Sequence, residues 1–190
     1  MIGANATGKT HFITQQFCNQ DVDILNVYDY QRKAYDEAGF DKYIPVDVRV
    51  ECLYKANQMH LSDIIDRLLQ GRNVVAEQTF FKAKRRIAYI DEIRQRTDAE
   101  IEIYVMTPTD KQWDQNIKKR ELSDNLSDLK LQLQEFEFPN PSEGFDAIYE
   151  VINGEVHLRM DQEKPEILEQ ARKEFLEEAE RIRRIRLKGK

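Results

Sequence analysis

Gly3-Ala4-Asn5-Ala6-Thr7-Gly8-Lys9-Thr10 stands almost at the start of the chain, preceded only by Met1 and Ile2. It spells G-x-x-x-x-G-K-T, the pattern of a loop whose backbone amides cradle phosphate at a helix N-terminus. Each residue type has a reason to be there. Gly3 and Gly8 allow backbone angles and close approaches that a Cβ would block. The amides from Ala4, Asn5, Ala6 and Thr7 through Gly8, Lys9, Thr10 and His11 can turn inward as an anion nest. Lys9 can reach the β- and γ-phosphates, and the Thr10 hydroxyl can ligate Mg²⁺. Helical spacing of Phe12, Ile13 and Phe17 begins directly after the loop, as a phosphate cradle requires.

Outward from the loop, short strands alternate with helices. Residues 23–28, 73–78 and 100–106 read as strands, and 147–158 reads as a hairpin turning at Asn153-Gly154. The apolar spacing from Val48 to Leu69 predicts a long helix, with Gly71 placed to end it. A further helix carries Arg85, Arg86, Ile90 and Ile93 and shows its arginines to solvent. Another starts at Thr107-Pro108-Thr109-Asp110, with Thr107 as the cap, and Ser123 can cap the next. This order implies an α/β fold in three α/β/α layers around a mainly parallel sheet. Residues 163–190 form an amphipathic helix, acidic at its start and basic at its end, with Leu168, Ala171, Phe175, Ile182 and Ile185 on one stripe. The boundaries are residues 1–160 for the nucleotide-binding domain, with a lid at about 111–135, and 161–190 for the helix. That helix packs on its own domain or serves a partner or self-association.

The bulk properties narrow the function. The 190 residues carry a formal charge of −6, which disfavours non-specific wrapping of nucleic acid but allows a local basic channel. Two cysteines, Cys18 and Cys52, suit reduced thiols in a cytoplasmic protein better than a disulfide framework. No apolar run approaches the length of a membrane span, and no signal peptide pattern opens the chain. His60 and His157 lack partners at metal-ligand spacing. Trp113 reads as packing.

Two carboxylates fall where ligands gather in open α/β sheets, just past strand ends: Asp29 and Glu77. Asp29 suits a general base or a helix cap. Glu77 suits a metal neighbour or an inert strand-end carboxylate.

Asp29-Tyr30-Gln31-Arg32, together with the phosphate loop, resembles the kinase domain of phage polynucleotide kinase and its P-loop kinase relatives. The resemblance covers about residues 3–152. It implies Asp29 as general base on the acceptor hydroxyl and Arg32 as substrate clamp. The stretch from Val74 to Arg86 resembles the family's strand ending D-N-T-N-L-T-x-x-R-R, with Glu77 near Mg²⁺ or its waters. Phe80 stands where the family has asparagine. Residues 114–124 resemble the lid, with Gln115 and Lys119 in place of its arginines, Asn116 matching and Arg120 alongside. The lid cation is then Arg120, with Lys119 second. Residues 136–151 resemble a P-x-P-x-x-x-E-G-F-D stretch with no evident catalytic chemistry.

The resemblance implies ATP and Mg²⁺ as cofactors, and transfer of the γ-phosphoryl group to a hydroxyl, first of all the 5′-hydroxyl of DNA or RNA. A nucleoside, nucleotide or sugar acceptor is the alternative, favoured by the acidic charge and Phe80. A regulatory module with weak ATPase activity is the third reading. The family's strand order, 2-3-1-4-5, puts the strand before the phosphate loop in the middle of the sheet. Only Met1 and Ile2 are present to form it, so the sequence predicts an N-terminally truncated product, with Met1 an internal or misassigned start.

Overall fold

The computed structural model describes residues 1–39, 44–119 and 126–188. In chain order they form α1 (Lys9–Phe17), β1 (Val22–Asn26), α2 (Val27–Glu37), α3 (Val46–Leu69), β2 (Asn73–Glu77) and α4 (Ala83–Arg96). There follow β3 (Glu102–Met106), α5 (Asp110–Lys119), α6 (Leu126–Gln134), β4 (Ala147–Ile152), β5 (Glu155–Asp161) and α7 (Pro165–Lys188). A 3₁₀ turn, Pro141–Glu143, leads into β4.

β1 pairs in parallel with β2, and β3 with β4, while β5 returns antiparallel to β4. Residues 1–3 join these two groups. The Met1 amine donates to the Ala76 carbonyl at 3.0 Å and Gln78 N–H to the Met1 carbonyl at 3.1 Å. On the other side Ile2 N–H donates to Tyr104 O at 2.9 Å and Met106 N–H to Ile2 O at 3.0 Å. The spatial order is thus β1, β2, residues 1–3, β3, β4, β5. This is the expected order, with the central position filled only at its carboxyl end. Beside Met1 and Ile2, a cavity of about 420 Å³ opens between the strands, lined by Val74, Ala76, Ile101, Ile103 and Tyr104.

Helices cover both faces. Ile103, Val105 and Ile148 pack with Ile90 of α4 and with Leu168 and Ala171 of α7. From the other face, Met106, Val151 and Tyr104 meet Phe12 and Phe17 of α1. Alternating side chains of β3 thereby serve two layers, as a buried parallel strand must. Leu25 packs with Leu61, Ile64 and Ile65 of α3 and Ile93 of α4 in a separate cluster, and Ile101 touches both this cluster and the one around Ile103.

Three local expectations change. β1 stops at Asn26, whose side chain accepts from Tyr28 N–H at 2.9 Å and caps α2. Asp29 therefore lies in the first turn of a helix and not at a strand end. At α5 the cap is Thr109, whose hydroxyl oxygen accepts from Gln112 N–H, while the Thr107 hydroxyl donates to Glu150 at 2.8 Å. Arg86 is not on an exposed face. Its guanidinium donates twice to Glu143, at 2.6 and 2.7 Å, and once to Phe80 O at 2.8 Å, with both charged side chains 1% exposed. Glu143 also accepts from Asn140 N–H, completing a capping box, so the stretch around it closes the fold. The hairpin turns at Asn153-Gly154 as expected, with both residues at positive φ. Ser123 lies outside the described residues.

Candidate active site

The loop at Gly3–Thr10 sits at the carboxyl ends of β2 and β3, the edge where open α/β sheets bind ligands. Gly3 N–H donates to Thr79 O at 3.3 Å. Gly3 has φ +145, and a Cβ there would lie 3.0 Å from Met106 Cβ and from Thr7 Oγ1, so only glycine fits. Gly8 caps α1 at φ +96, and Ala6 also takes positive φ, at 64, which turns successive peptide units within the loop. The Thr7 hydroxyl donates to Ala4 O at 2.8 Å and pins the turn from inside.

Lys9 is buried, and its ammonium donates to Gly3 O and Ala4 O at 2.9 Å each. The cation is thereby held over the centre of its own loop. Thr10, next on α1, is exposed, and its hydroxyl donates to Glu77 Oε1 at 2.8 Å. Glu77 is 3% exposed, and its other oxygen accepts from Asn26 Nδ2 at 3.0 Å. Thr10, Glu77 and Asn26 thus join α1, β2 and β1 at one point beside the loop. Asn26 joins the candidate site because β1 ends there, two residues before the strand end that the sequence pattern predicts. The hydroxyl and carboxylate are hard oxygen donors, the set that suits Mg²⁺.

α5 and α6 press on the loop from outside. Trp113 Nε1–H donates to Asn5 O at 3.3 Å, and Asn116 Nδ2 donates to Ala6 O at 2.8 Å. Ala6, Trp113, Ile117 and Leu129 form one apolar cluster. Asn5 N–H, one of the amides expected to face phosphate, donates here to Gln132 Oε1 of α6 at 3.1 Å. The Asn5 side chain accepts from the Tyr28 hydroxyl at 2.6 Å, which brings the start of α2 against the loop. Nothing in the local sequence marks Tyr28 or Gln132 as a partner of the loop, since each lies far from it along the chain.

The remaining expected residues are less tightly gathered. Asp29 and Arg32 are exposed and face each other across 3.6 Å on α2. Neither bonds to a loop residue among the described contacts. Lys119 ends α5, exposed, and lines a cavity of about 490 Å³ with Thr7, Gly8, His11, Gln112 and Asn153. His11 is exposed at the mouth of α1. Arg120 lies outside the described residues. His60 is fully buried, and burial pushes its pKa down to about 4. Cys18 and Cys52 are both free thiols. Among the described residues no helix is long and apolar enough to cross a membrane.

No curated protein matches the chain in sequence. Solved structures do match in fold. A candidate kinase from Chloroflexus aurantiacus j-10-fl is 15% identical, with a TM-score of 0.62, covering 80% of this chain and 84% of that one. A chain from the PezAT chromosomal toxin–antitoxin system of Streptococcus pneumoniae is 15% identical, with a TM-score of 0.52, covering 90% and 74%. A sugar kinase from Janibacter sp. HTCC2649 is 14% identical, with a TM-score of 0.48, covering 90% and 88%. A family model described as AAA domain matches residues 1–141. With a glycine-bounded loop at the sheet's carboxyl edge and that match across most of its length, the chain belongs to the AAA_33 family of AAA domains.

Proposed function

We propose that the chain is an ATP-dependent kinase that transfers the γ-phosphoryl group to a hydroxyl. The observation that carries this is the meeting of Lys9, Thr10 and Glu77 around one loop, with the Thr10 and Glu77 oxygens 2.8 Å apart. In this reading Lys9 exchanges its two carbonyl partners for phosphate oxygens, and the loop amides bind the rest of the charge. Thr10 and Glu77 hold Mg²⁺, which when bound supplies charge compensation to the phosphates. The cavity beside His11, Gln112 and Asn153 seats the nucleoside. Asp29 accepts the proton of the acceptor hydroxyl, Arg32 holds the acceptor, and Lys119 with Arg120 brings positive charge from the lid.

The acceptor we infer first is the 5′-hydroxyl of a polynucleotide, on the strength of the Asp29–Arg32 pair. Two observations favour a small acceptor as the second reading. Arg86 is withdrawn into the core by Glu143. Phe80 packs edge-on against Tyr89 at 4.5 Å, so it offers that neighbourhood an apolar ring where the family has an amide.

A labelled-ATP screen tests these readings, with 5′-hydroxyl DNA and RNA oligomers beside nucleosides, nucleotides and sugars. Transfer to oligomers supports the first reading and transfer to a single small molecule the second. In either case Asp29→Asn should lower kcat at least 100-fold while ATP still binds, within the range for loss of a general base. Full activity in Asp29→Asn removes the assigned mechanism. Tight ATP binding with no transfer to any acceptor would point instead to a regulatory module.

A further inference from the structure

Asn5 is held from several sides. Its carbonyl accepts from Trp113 of α5 at 3.3 Å, its side-chain oxygen accepts from the Tyr28 hydroxyl of α2 at 2.6 Å, and its amide donates to Gln132 Oε1 of α6 at 3.1 Å. The last contact occupies a donor that a phosphate oxygen would take. Helical spacing brings Gln132 there. Leu126, Leu129 and Gln132 recur every third residue along α6. Both leucines pack in the cluster with Ala6, Trp113 and Ile117, so the carboxamide one turn on falls on the same face, against the loop. Just past Gln132 the chain is anchored. Glu137 N–H donates to Phe81 O, and the Glu137 carboxylate accepts from Ala83 N–H, both at 2.8 Å. The backbone at Gln132 is thereby kept beside the loop, while its half-buried side chain has other rotamers open to it.

The place of Asn5 says which phosphate is concerned. Ala6, Thr7, Gly8 and His11 line the cavity that seats the nucleoside in the reading above. Asn5 faces the other way, against Tyr28, the residue before Asp29. A phosphate chain that starts at the nucleoside and ends at the acceptor therefore runs past Lys9 and finishes at Asn5. Its last member meets the amide that Gln132 holds. A carboxamide oxygen is a neutral acceptor, and a phosphate oxygen, being charged, is the stronger one. A diphosphate ends one phosphate short and leaves the Asn5–Gln132 bond in place.

We infer that Gln132 sets the loop's choice between triphosphate and diphosphate. Its carboxamide fills the seat of the terminal phosphate unless a triphosphate displaces it. Binding of triphosphate is weakened in proportion to the fraction of chains in which that seat is filled, whereas binding of diphosphate is untouched. The inference rests on the phosphotransfer reading for the direction in which the phosphate chain runs.

Calorimetric titration of the full chain with the Mg²⁺ salts of ADP and of adenosine β,γ-imidotriphosphate tests it. The imido compound carries the third phosphate but does not transfer it. Gln132→Ala should tighten triphosphate binding about 3–10-fold, the scale of one net hydrogen bond, and leave the diphosphate affinity at its wild-type value. Gln132→Glu keeps an acceptor for Asn5 N–H and sets a negative charge in the same seat, so triphosphate binding should weaken at least about 10-fold and diphosphate binding by less. A helix docked for stability alone would move both ligands together. Gln132→Ala with the wild-type ratio of the two affinities, or with weaker triphosphate binding, overturns the inference and leaves the phosphotransfer reading standing. So does Gln132→Glu with wild-type triphosphate affinity. A wild-type chain that binds neither nucleotide removes both.

Discussion

Joining five apolar residues, such as Val-Ile-Val-Ile-Leu, ahead of Met1 should convert the cavity between β2 and β3 into a paired strand. The bonds at residues 1–3 set the register. Alternate residues of a strand present their amide and carbonyl to the same edge. Because Ala76 O and Gln78 N–H face Met1, Ala76 N–H and Val74 O face the cavity below it. Because Tyr104 O and Met106 N–H face Ile2, Tyr104 N–H and Glu102 O face the cavity from β3. A parallel strand between them makes four bonds, worth roughly 1 kcal/mol each net. Five buried apolar side chains add about 2 kcal/mol each, roughly 10 kcal/mol together. Ordering five residues costs about 1.5–2 kcal/mol each. The difference is on the order of 5 kcal/mol, or about 10–20 °C in Tm for a domain of this size. A second signal comes from the amine. Burial holds the Met1 amine at about 5 instead of 8.0. Between those values the unfolded chain binds a proton and the folded chain does not, so stability falls as pH drops from 8 toward 5, by about 4 kcal/mol in all. Any extension turns that amine into an amide and removes its share of the slope, which is the whole of it above pH 6.5, where His60 is not yet titrating. A polar extension of equal length, Gly-Ser-Glu-Gly-Ser, should therefore flatten the profile between pH 8 and 6.5 and leave Tm at pH 8 unchanged. Urea unfolding and thermal melts of the three chains from pH 5 to 8 read both effects. If the apolar and polar extensions give the same Tm at pH 8, the cavity does not accept a strand and the pairing argument fails.

Replacing Lys9 with Met should lower kcat in the transfer assay by at least about 100-fold, the scale for losing one preorganised charge at a transferring phosphoryl group; activity within threefold of wild type would remove Lys9 from the site. Arg86→Ala should destabilise by about 3–5 kcal/mol because it leaves the Glu143 carboxylate buried and unpaired, whereas Arg86→Met with Glu143→Leu should recover most of the loss in urea unfolding. His60 should make the chain acid-sensitive: burial lowers its pKa from 6.5 to about 4, so stability is lost as pH falls through that interval, by about 3 kcal/mol at its lower end. Measured in the extended chain, where the amine no longer contributes, His60→Phe should flatten stability between pH 6.5 and 4.5; an unchanged slope would assign the acid sensitivity elsewhere.

What could be read from the sequence was what is decided locally. The phosphate loop occupies eight consecutive residues, and its glycines, lysine and threonine act within one turn of one another. The long helix at α3 and the hairpin at Asn153-Gly154 follow from spacing and from two turn residues. Where the outcome depended on a distant partner, the same residues misled. Asn26-Val27-Tyr28 alternates like a strand, but the Asn26 side chain caps α2 through Tyr28 N–H and reaches Glu77 of the neighbouring strand, so the chain turns two residues early. Arg86 stands next to an exposed Arg85 and looks like surface until Glu143, far along the chain, claims it. The early turn also bears on the chemistry. It puts Asn26 at the strand end, beside Glu77, and leaves Asp29 in the first turn of α2, exposed and paired with Arg32. An acceptor held by Arg32 would thus lie against the carboxylate that Arg32 already attracts. For Asp29 to act as base, Arg32 must shift to the acceptor's own phosphate or hydroxyls and leave that carboxylate facing the reacting oxygen. Substituting Arg32 with Lys keeps the charge but removes the fork that can serve both groups at once, so its effect should fall on KM for the acceptor more than on KM for ATP.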